Sequence, residues 1–394
     1  MARTRAAVPA IILAGTILRL VVAFATRGLP YDVQSWSIVR HAFSEHPLHV
    51  YALVNQGGNF HWPYPPGFFP LMLVASGAAD LFGGFTHLVR VPSVLADAAI
   101  AWLVAYGLAG RVSERARLAA TALVAFGPVF IVISGYAAQI DEVAILPAVV
   151  ALLVWERAPV GRRAVYAGLL IGLAGSIKTV PLAMVLALAP SARSRRELLL
   201  LFGSAAAVFA VSLMPFLIAD SSSVLELRHY QGAPGLGGLT LVLQPDLAQI
   251  WLSKFVTVNP VVKWLSISHG GPYNLAILAA YALYGWRYRP DPRTAAALLW
   301  LVVFAFGSGF FFQYLVWGLP FFLLGGYLLA TAVLEVVVAI PMIIYYTGPR
   351  PGSDSVASFY VPPMLIVWAM WVAGAGVIVR RNVLRRRRIT SRPA

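Results

Sequence analysis

From residue 6 to residue 379 the chain returns repeatedly to apolar runs about as long as a hydrocarbon layer is thick, with arginines standing at their ends. A helix needs about 20 apolar residues to cross a bilayer core. Runs near 7–25, 88–109, 118–134, 139–155, 198–219 and 359–379 approach that length. Mean hydropathy is +0.78, more apolar surface than a water-soluble core of 394 residues hides. The expected fold is therefore all-α and polytopic, a single integral membrane domain over 1–394 from which no soluble domain can be cut. The first run follows only Arg3 and Arg5 and has the look of a signal peptide. Many spans follow it and no small-residue cleavage site is clear, so it is expected to be a retained first helix.

The charge of +15 comes from 30 basic and 15 acidic residues, and the only lysines are Lys178, Lys254 and Lys263. The arginines lie at the ends of apolar segments and form no soluble basic face, which excludes nucleic acid as a partner and points to membrane lipid. With no cysteine there is neither a disulfide nor a thiolate metal site. The Arg- and Ala-rich composition suggests a GC-rich bacterial genome, and hence the bacterial plasma membrane.

Positive residues mark cytoplasmic loops. The clusters at 2–5, 110–117, 156–163, 192–197, 286–293 and 380–388 are all expected inside, which constrains what crosses. Segment 65–83 opens with Pro65-Pro66-Gly67 and ends in Gly83-Gly84; the count makes it a dip into the outer face. Segment 164–190 is too short for two full spans. It is expected to be two short helices broken near Gly175–Lys178, with Pro181 opening the second, an arrangement tolerated at membrane depth only beside a cavity. The sum is about twelve crossings with both termini cytoplasmic. Outside lie a long first loop, 26–63, carrying short interfacial helices, and a second loop with an interfacial segment, 220–271; the tail 380–394 lies inside. There is no internal repeat.

Several residues in this frame carry chemistry. Asp32, in Pro30-Tyr31-Asp32, is a carboxylate at the membrane surface between aromatics, suited to take a proton from a hydroxyl; the plainer alternative is a cap for a helix starting at Val33. Asp141 at the outer start of a span holds an acceptor, a cation or a basic partner, or else is an N-cap. Lys178 is an ionisable group inside an apolar segment, a functional candidate by default. It either binds a phosphate oxygen or pairs with a buried acid such as Asp97 or Glu335. Arg228 and His229, adjacent in the second outer loop, suit an anion, and Arg90 is a weaker candidate for the same one. The loop histidines His41, His46 and His49 lack metal-ligand spacing, so no metal site is assigned, although a divalent cation is not excluded. Gly168 and Gly172 form a GxxxG that implies close helix packing. A Walker A loop, a dinucleotide fingerprint, HExxH and GxSxG are all absent, which argues against a nucleotide donor and leaves no cofactor implied.

The order of Tyr31-Asp32, Tyr64-Pro65-Pro66-Gly67, Arg90-Val91-Pro92 with Asp97, Gln139-Ile140-Asp141, Lys178-Thr179-Val180-Pro181 and Gln313-Tyr314 with Trp317 and Pro320 resembles the GT-C superfamily of polyprenyl-phosphate-sugar-dependent glycosyltransferases. Its bacterial polyprenol-phosphate-mannose transferases are the most similar subgroup. The resemblance covers about residues 8–320. It implies an extracytoplasmic active site, a polyprenyl-phosphate-linked sugar donor, and a glycolipid, polysaccharide or protein acceptor. It also implies that Asp32 is the base, that Lys178, Arg228, His229 and Arg90 meet the donor phosphate, and that Asp141, Gln139, Tyr64, His61 and Tyr31 line the acceptor and sugar site. One base and direct displacement imply inversion at the anomeric carbon. The chain lacks the doubly acidic pair after the first helix and any soluble C-terminal domain that larger members carry. The alternative from another class is a transporter or lipid flippase, with Lys178 and Asp141 in its translocation site.

Overall fold

The computed structural model describes residues 2–55, 60–82, 84–230, 234–252, 256–347 and 354–390. Every regular element among them is helical. The chain divides into two compact units, one of residues 1–182 with 196–230 and the other of 183–195 with 231–394.

The first unit begins with α1, Ala2–Ala25, and α2, Pro30–Glu45. After two short helical turns at Pro47–His49 and Val50–Val54 come α3, Phe69–Phe82, α4, Val91–Leu108, and α5, Glu114–Phe126. α6, Asp141–Arg157, α7, Val160–Ile177, and α8, Arg195–Glu226, complete it. Helix starts follow the sequence: Ser113 accepts from the Ala116 amide at the head of α5, with Glu114 in its first turn. α1 packs on α4 and α5, and α6 pairs with α7. The GxxxG of α7 packs as expected. A Cβ on Gly168 would meet the Leu201 carbonyl oxygen at 2.5 Å, and one on Gly172 would meet that of Ala205 at 2.5 Å, so glycine permits the close approach of α8.

Two pairs of opposite charges lie within the apolar core. Arg19 Nε lies 3.1 Å from Asp97 Oδ2, and Arg163 makes a two-pronged contact with Glu197 at 2.8 and 3.1 Å. Arg163–Glu197 also links two of the arginine clusters expected on the cytoplasmic side. Arg111–Glu156 at 3.4 Å and the Arg157 guanidinium over the Tyr106 ring at 3.9 Å link a third. Three of the six arginine clusters are thus neighbours in space.

The second unit contains α9, Gly270–Tyr288, α10, Pro292–Phe306, α11, Leu315–Leu324, α12, Leu328–Thr347, and α13, Asp354–Thr390. α13 packs on α10 and α12 around Trp300, Phe304, Phe310 and Trp371.

Among the described residues six helices are long and apolar enough to cross a membrane, at 6–25, 85–108, 114–136, 195–226, 328–346 and 359–386; shorter apolar helices include 66–79, 180–191, 292–306 and 312–324. Twelve full crossings are thus not reproduced by helix length. The apolar segment 314–329 is mainly the ten-residue α11, about 15 Å long at 1.5 Å per residue. α3, at 14 residues, reaches about 21 Å, short of the ~30 Å hydrocarbon core, as a dip requires. The break in 164–190 falls where expected. α7 ends at Ile177, Lys178 is extended (φ −145°, ψ 134°), and a short turn follows at Val180–Ala183. The amphipathic segment 246–271 is a set of short turns; Lys254 lies outside the described residues.

Candidate active site

Asp32 is positioned by the way the chain leaves the first helix. Gly28 turns at φ +76°, a conformation glycine adopts without a Cβ penalty. Leu29 is extended and Pro30 opens α2, where its fixed φ and missing N–H suit the first helical position. Asp32 then falls in the first turn and Leu29 is the N-cap, with no side-chain cap bond. The capping alternative for Asp32 is therefore not realised, and its carboxylate remains available to other partners.

The main partner comes from the loop after α5. Residues 131–136 form a wide helical turn, after which Ala138 takes a left-handed φ of 60°, an uncommon conformation for a residue with a side chain. Two side chains hold this loop. Trp36 Nε1 donates to the Ala138 carbonyl at 2.9 Å, and Ser93 Oγ to the Gln139 carbonyl at 2.6 Å. Gln139 is thereby aimed at α2, and its Nε2 donates to Asp32 Oδ2 at 2.7 Å.

Asp141 is also not the N-cap it resembles; Ile140 holds that position. Fully buried, Asp141 receives the Lys178 ammonium on both carboxylate oxygens at 2.7 Å. The acid that pairs with Lys178 is thus Asp141, and neither Asp97 nor Glu335. Two residues assigned by resemblance to different substrates form one ion pair. Lys178 further lies 4.4 Å from the centre of the Tyr64 ring, a cation–π contact. Gly67 makes this possible: a Cβ there would meet Ser176 Oγ at 2.5 Å and the Ser176 carbonyl oxygen at 2.6 Å. The YPPG turn can sit against the last turn of α7 only without a side chain at that position.

Electrostatics tie these groups together. Asp32 keeps part of its surface open, yet crowding by protein atoms pushes its carboxyl up from 3.8 to about 7. The Gln139 hydrogen bond and the Lys178 charge pull it back, and Asp141 opposes them. Burial is also the main cause that raises Tyr31, with the Asp32 charge second. The Tyr31 ring stacks on His61 at 5.6 Å between centroids. Ser35 Oγ donates to the Tyr31 carbonyl at 2.9 Å and lies 3.0 Å from His61 Nδ1; with its proton so committed, it accepts from Nδ1–H, which fixes the imidazole tautomer. Tyr230, which sequence reasoning missed, belongs to the same group. Its phenol is pushed up to about 12 by burial and then by Tyr31, Asp32 and Asp141. Tyr230 follows directly on Arg228-His229, the only sequence cue to it.

Other expected site residues lie differently. Arg90 is completely buried. Its Nη1 donates to the carbonyls of Ala23 (2.9 Å), Thr26 (3.2 Å) and Gly135 (3.4 Å), so it braces the end of α1 and offers no open anion site. Arg228 is exposed in the short turn Leu227–His229; the side chain of His229 lies outside the described residues. His41 is exposed and lies 3.4 Å from Glu45. Together with Ser37, Arg40, Ser44, Phe85 and Thr86 it lines a cavity of about 440 Å³ farther along α2. Among the described residues no group of three or more His, Asp or Glu is placed to hold a metal.

The arrangement has the parts of a proton-abstracting site. It holds a carboxyl near neutrality steadied by one amide donor, a buried ion pair beside it, and a rim of Tyr31, His61, Tyr64 and Tyr230 able to hydrogen-bond or stack a polyhydroxylated ligand. A family model described as glycosyltransferase family 87 matches residues 62–312. Among solved structures, the crystal structure of ArnT from Cupriavidus metallidurans in the apo state matches at 14% identity. The alignment covers 94% of this chain and 77% of that one, with a TM-score of 0.44. No curated protein matches the chain.

Proposed function

We propose, from the premise that the chain belongs to glycosyltransferase family 87, that this membrane glycosyltransferase is inverting and moves a hexose, mannose first, from a polyprenyl-phosphate-sugar to an acceptor hydroxyl on the extracytoplasmic face. Asp32 is the base. Its Oδ takes the hydroxyl proton as the acceptor oxygen attacks the anomeric carbon. The bond from that carbon to the phosphate oxygen breaks, and the prenyl phosphate leaves with the electron pair. A single direct displacement inverts the anomeric centre.

The observation that carries this reading is the Asp32–Gln139 contact in an environment that holds the carboxyl near 7. A base is most effective when its pKa lies near the working pH. Gln139 presents one oxygen to the acceptor by fixing the other. Lys178 and Arg228 supply positive charge for the departing phosphate, where preorganised charge stabilises the transition state. Lys178 is meanwhile held by Asp141 and Tyr64, and the aromatic rim with His61 receives the acceptor and sugar. The acceptor is a glycolipid, a polysaccharide or a protein. Family membership sets aside the transporter alternative for Lys178 and Asp141.

The test is a donor panel on purified protein in lipid: polyprenyl-phosphate-mannose, polyprenyl-phosphate-glucose and the nucleotide forms of both sugars, with the product configuration read by NMR. The proposal expects transfer from a prenyl-phosphate donor with inverted configuration. Transfer from the nucleotide sugars alone, or retained configuration, overturns it.

A further inference from the structure

Within the second unit, the two arginine clusters that flank α9 and end α13 come together around a cavity of about 570 Å³. Arg287 and Arg289 line it from the end of α9, and Arg385 and Arg386 from the end of α13. Trp286 and Tyr288 form its apolar walls. In the sequence these arginines point only to membrane lipid in general. The structure instead builds a concave site from three separate stretches of chain, Ser191 supplying the third.

The site is shaped, not merely charged. Arg289 ends α9 in a left-handed conformation, φ 47°, strain that persists only where its surroundings enforce it. Its guanidinium lies 5.6 Å from the Trp286 ring centre. Those of Arg287 and Arg386 lie 5.5 and 5.8 Å from the Tyr288 ring, on which the two clusters meet. Asn382 donates to Tyr284 at 3.0 Å, which locks α13 to α9 beside the cavity. A guanidinium stacked on a ring, as those of Arg287 and Arg289 are, can direct its N–H edge to phosphate oxygens in bidentate contacts. One carboxylate, Asp291, stands on the rim and accepts from the Thr294 amide at 3.1 Å as the N-cap of α10. Four arginines less this one acid leave a net charge of +3. The carbonyl end of α9 also faces this region and disfavours an anion, and the four guanidiniums outweigh it.

We propose that this cavity is a binding site for a phospholipid headgroup carrying two phosphates, taken from the leaflet on the arginine-rich, cytoplasmic side. Two phosphates suit a cavity with basic side chains on two opposite helix ends, Arg287 and Arg289 on one and Arg385 on the other. Leu283, one turn before Trp286 on α9, and Leu384, next to Arg385 on α13, are exposed apolar side chains close in sequence to the lining residues. The site is independent of the sugar-transfer reading, since it lies among residues that the Asp32 cluster does not include.

The test uses the full-length protein in phosphatidylcholine nanodiscs, with and without added cardiolipin, and native mass spectrometry of the lipid retained after extraction. Wild type is expected to retain cardiolipin over phosphatidylcholine. Arg289→Gln with Arg385→Gln is expected to weaken that retention about 30-fold, at the usual contribution of each basic residue near an anionic surface. Arg111→Gln, an exposed arginine of the first unit, is expected to leave it unchanged. Should the Gln pair not fold, Arg289→Lys with Arg385→Lys keeps the charge and removes the bidentate edge, with an expected loss of about threefold or more. Retention equal to wild type in either double variant, or no preference over phosphatidylcholine, overturns the proposal. Saturable binding of inorganic diphosphate with no lipid retained overturns the lipid source.

Discussion

Replacing Gln139 with methionine, which keeps the length of the side chain and removes its N–H, isolates the contact on which the proposed base depends. That N–H donates at 2.7 Å to the Asp32 carboxylate, so it favours the ionised form. A hydrogen bond to a charged group is worth about 1.5–3 kcal/mol net, or about 1–2 pKa units at 1.36 kcal/mol per unit. Asp32 stands at about 7 with the bond in place, and without it should move to about 8–9. Only the ionised carboxylate accepts a proton. In wild type kcat/KM is therefore expected to be low in acid and to climb through pH 7 to a plateau. In Gln139→Met the same climb shifts up by about 1–2 units, and the rate at pH 7 falls by roughly 5- to 50-fold and recovers toward pH 9. The assay is the pH profile of kcat/KM for sugar transfer from the prenyl-phosphate donor. An acid limb left where it stands in wild type, with the protein folded, refutes the placement of the base.

Other perturbations follow from the same geometry. Lys178→Met leaves the buried Asp141 carboxylate uncompensated and is expected to cost about 3–5 kcal/mol, read as a fall in thermal midpoint; Lys178→Met with Asp141→Leu should regain much of that stability while activity stays lost. Gly67→Ala drives a Cβ into Ser176 and should lower activity at least about tenfold. Adding Ser176→Ala should not rescue it, because the backbone carbonyl at 2.6 Å remains in place. Trp36→Phe removes the donor to the Ala138 carbonyl and should destabilise by about 1–3 kcal/mol, measured by chemical or thermal unfolding. Since burial raises the Asp32 pKa, its ionisation opposes folding. That opposition is absent below 3.8 and complete above about 7, so Asp32→Asn should be at least as stable as wild type at pH 8.

What was legible in the sequence was local. The spacing of apolar runs announced a helical membrane protein, Tyr31-Asp32 after the first run marked the candidate base, and the Gly-Ser-Ile-Lys stretch before Pro181 marked the broken helix that ends at Ile177. Glycines 168 and 172 marked a close approach that the backbone then makes, whereas the contact of Gly67 with Ser176 had no such mark. What was not legible was pairing across distance. Gln139 reaches Asp32 over 107 positions and Lys178 reaches Asp141 over 37. A buried lysine in a chain with Asp97, Asp141, Glu142 and Glu335 has several acids to choose from until packing decides. Arg90 illustrates the converse. Its position before a helix looked open to an anion, but the carbonyls of Ala23 and Thr26 at the end of α1 and of Gly135 in the 131–136 turn close over it. Helix count was also obscured, because α11 is apolar throughout yet too short to cross.

The most direct test of the central claim is single-turnover transfer by Asp32→Asn beside wild type, in the same lipid and at pH 8, with folding checked by thermal midpoint. The account predicts that Asp32→Asn folds, binds the prenyl-phosphate donor and fails to transfer, because the amide cannot take the acceptor proton. Transfer at the wild-type rate would place the base elsewhere and contradict the account.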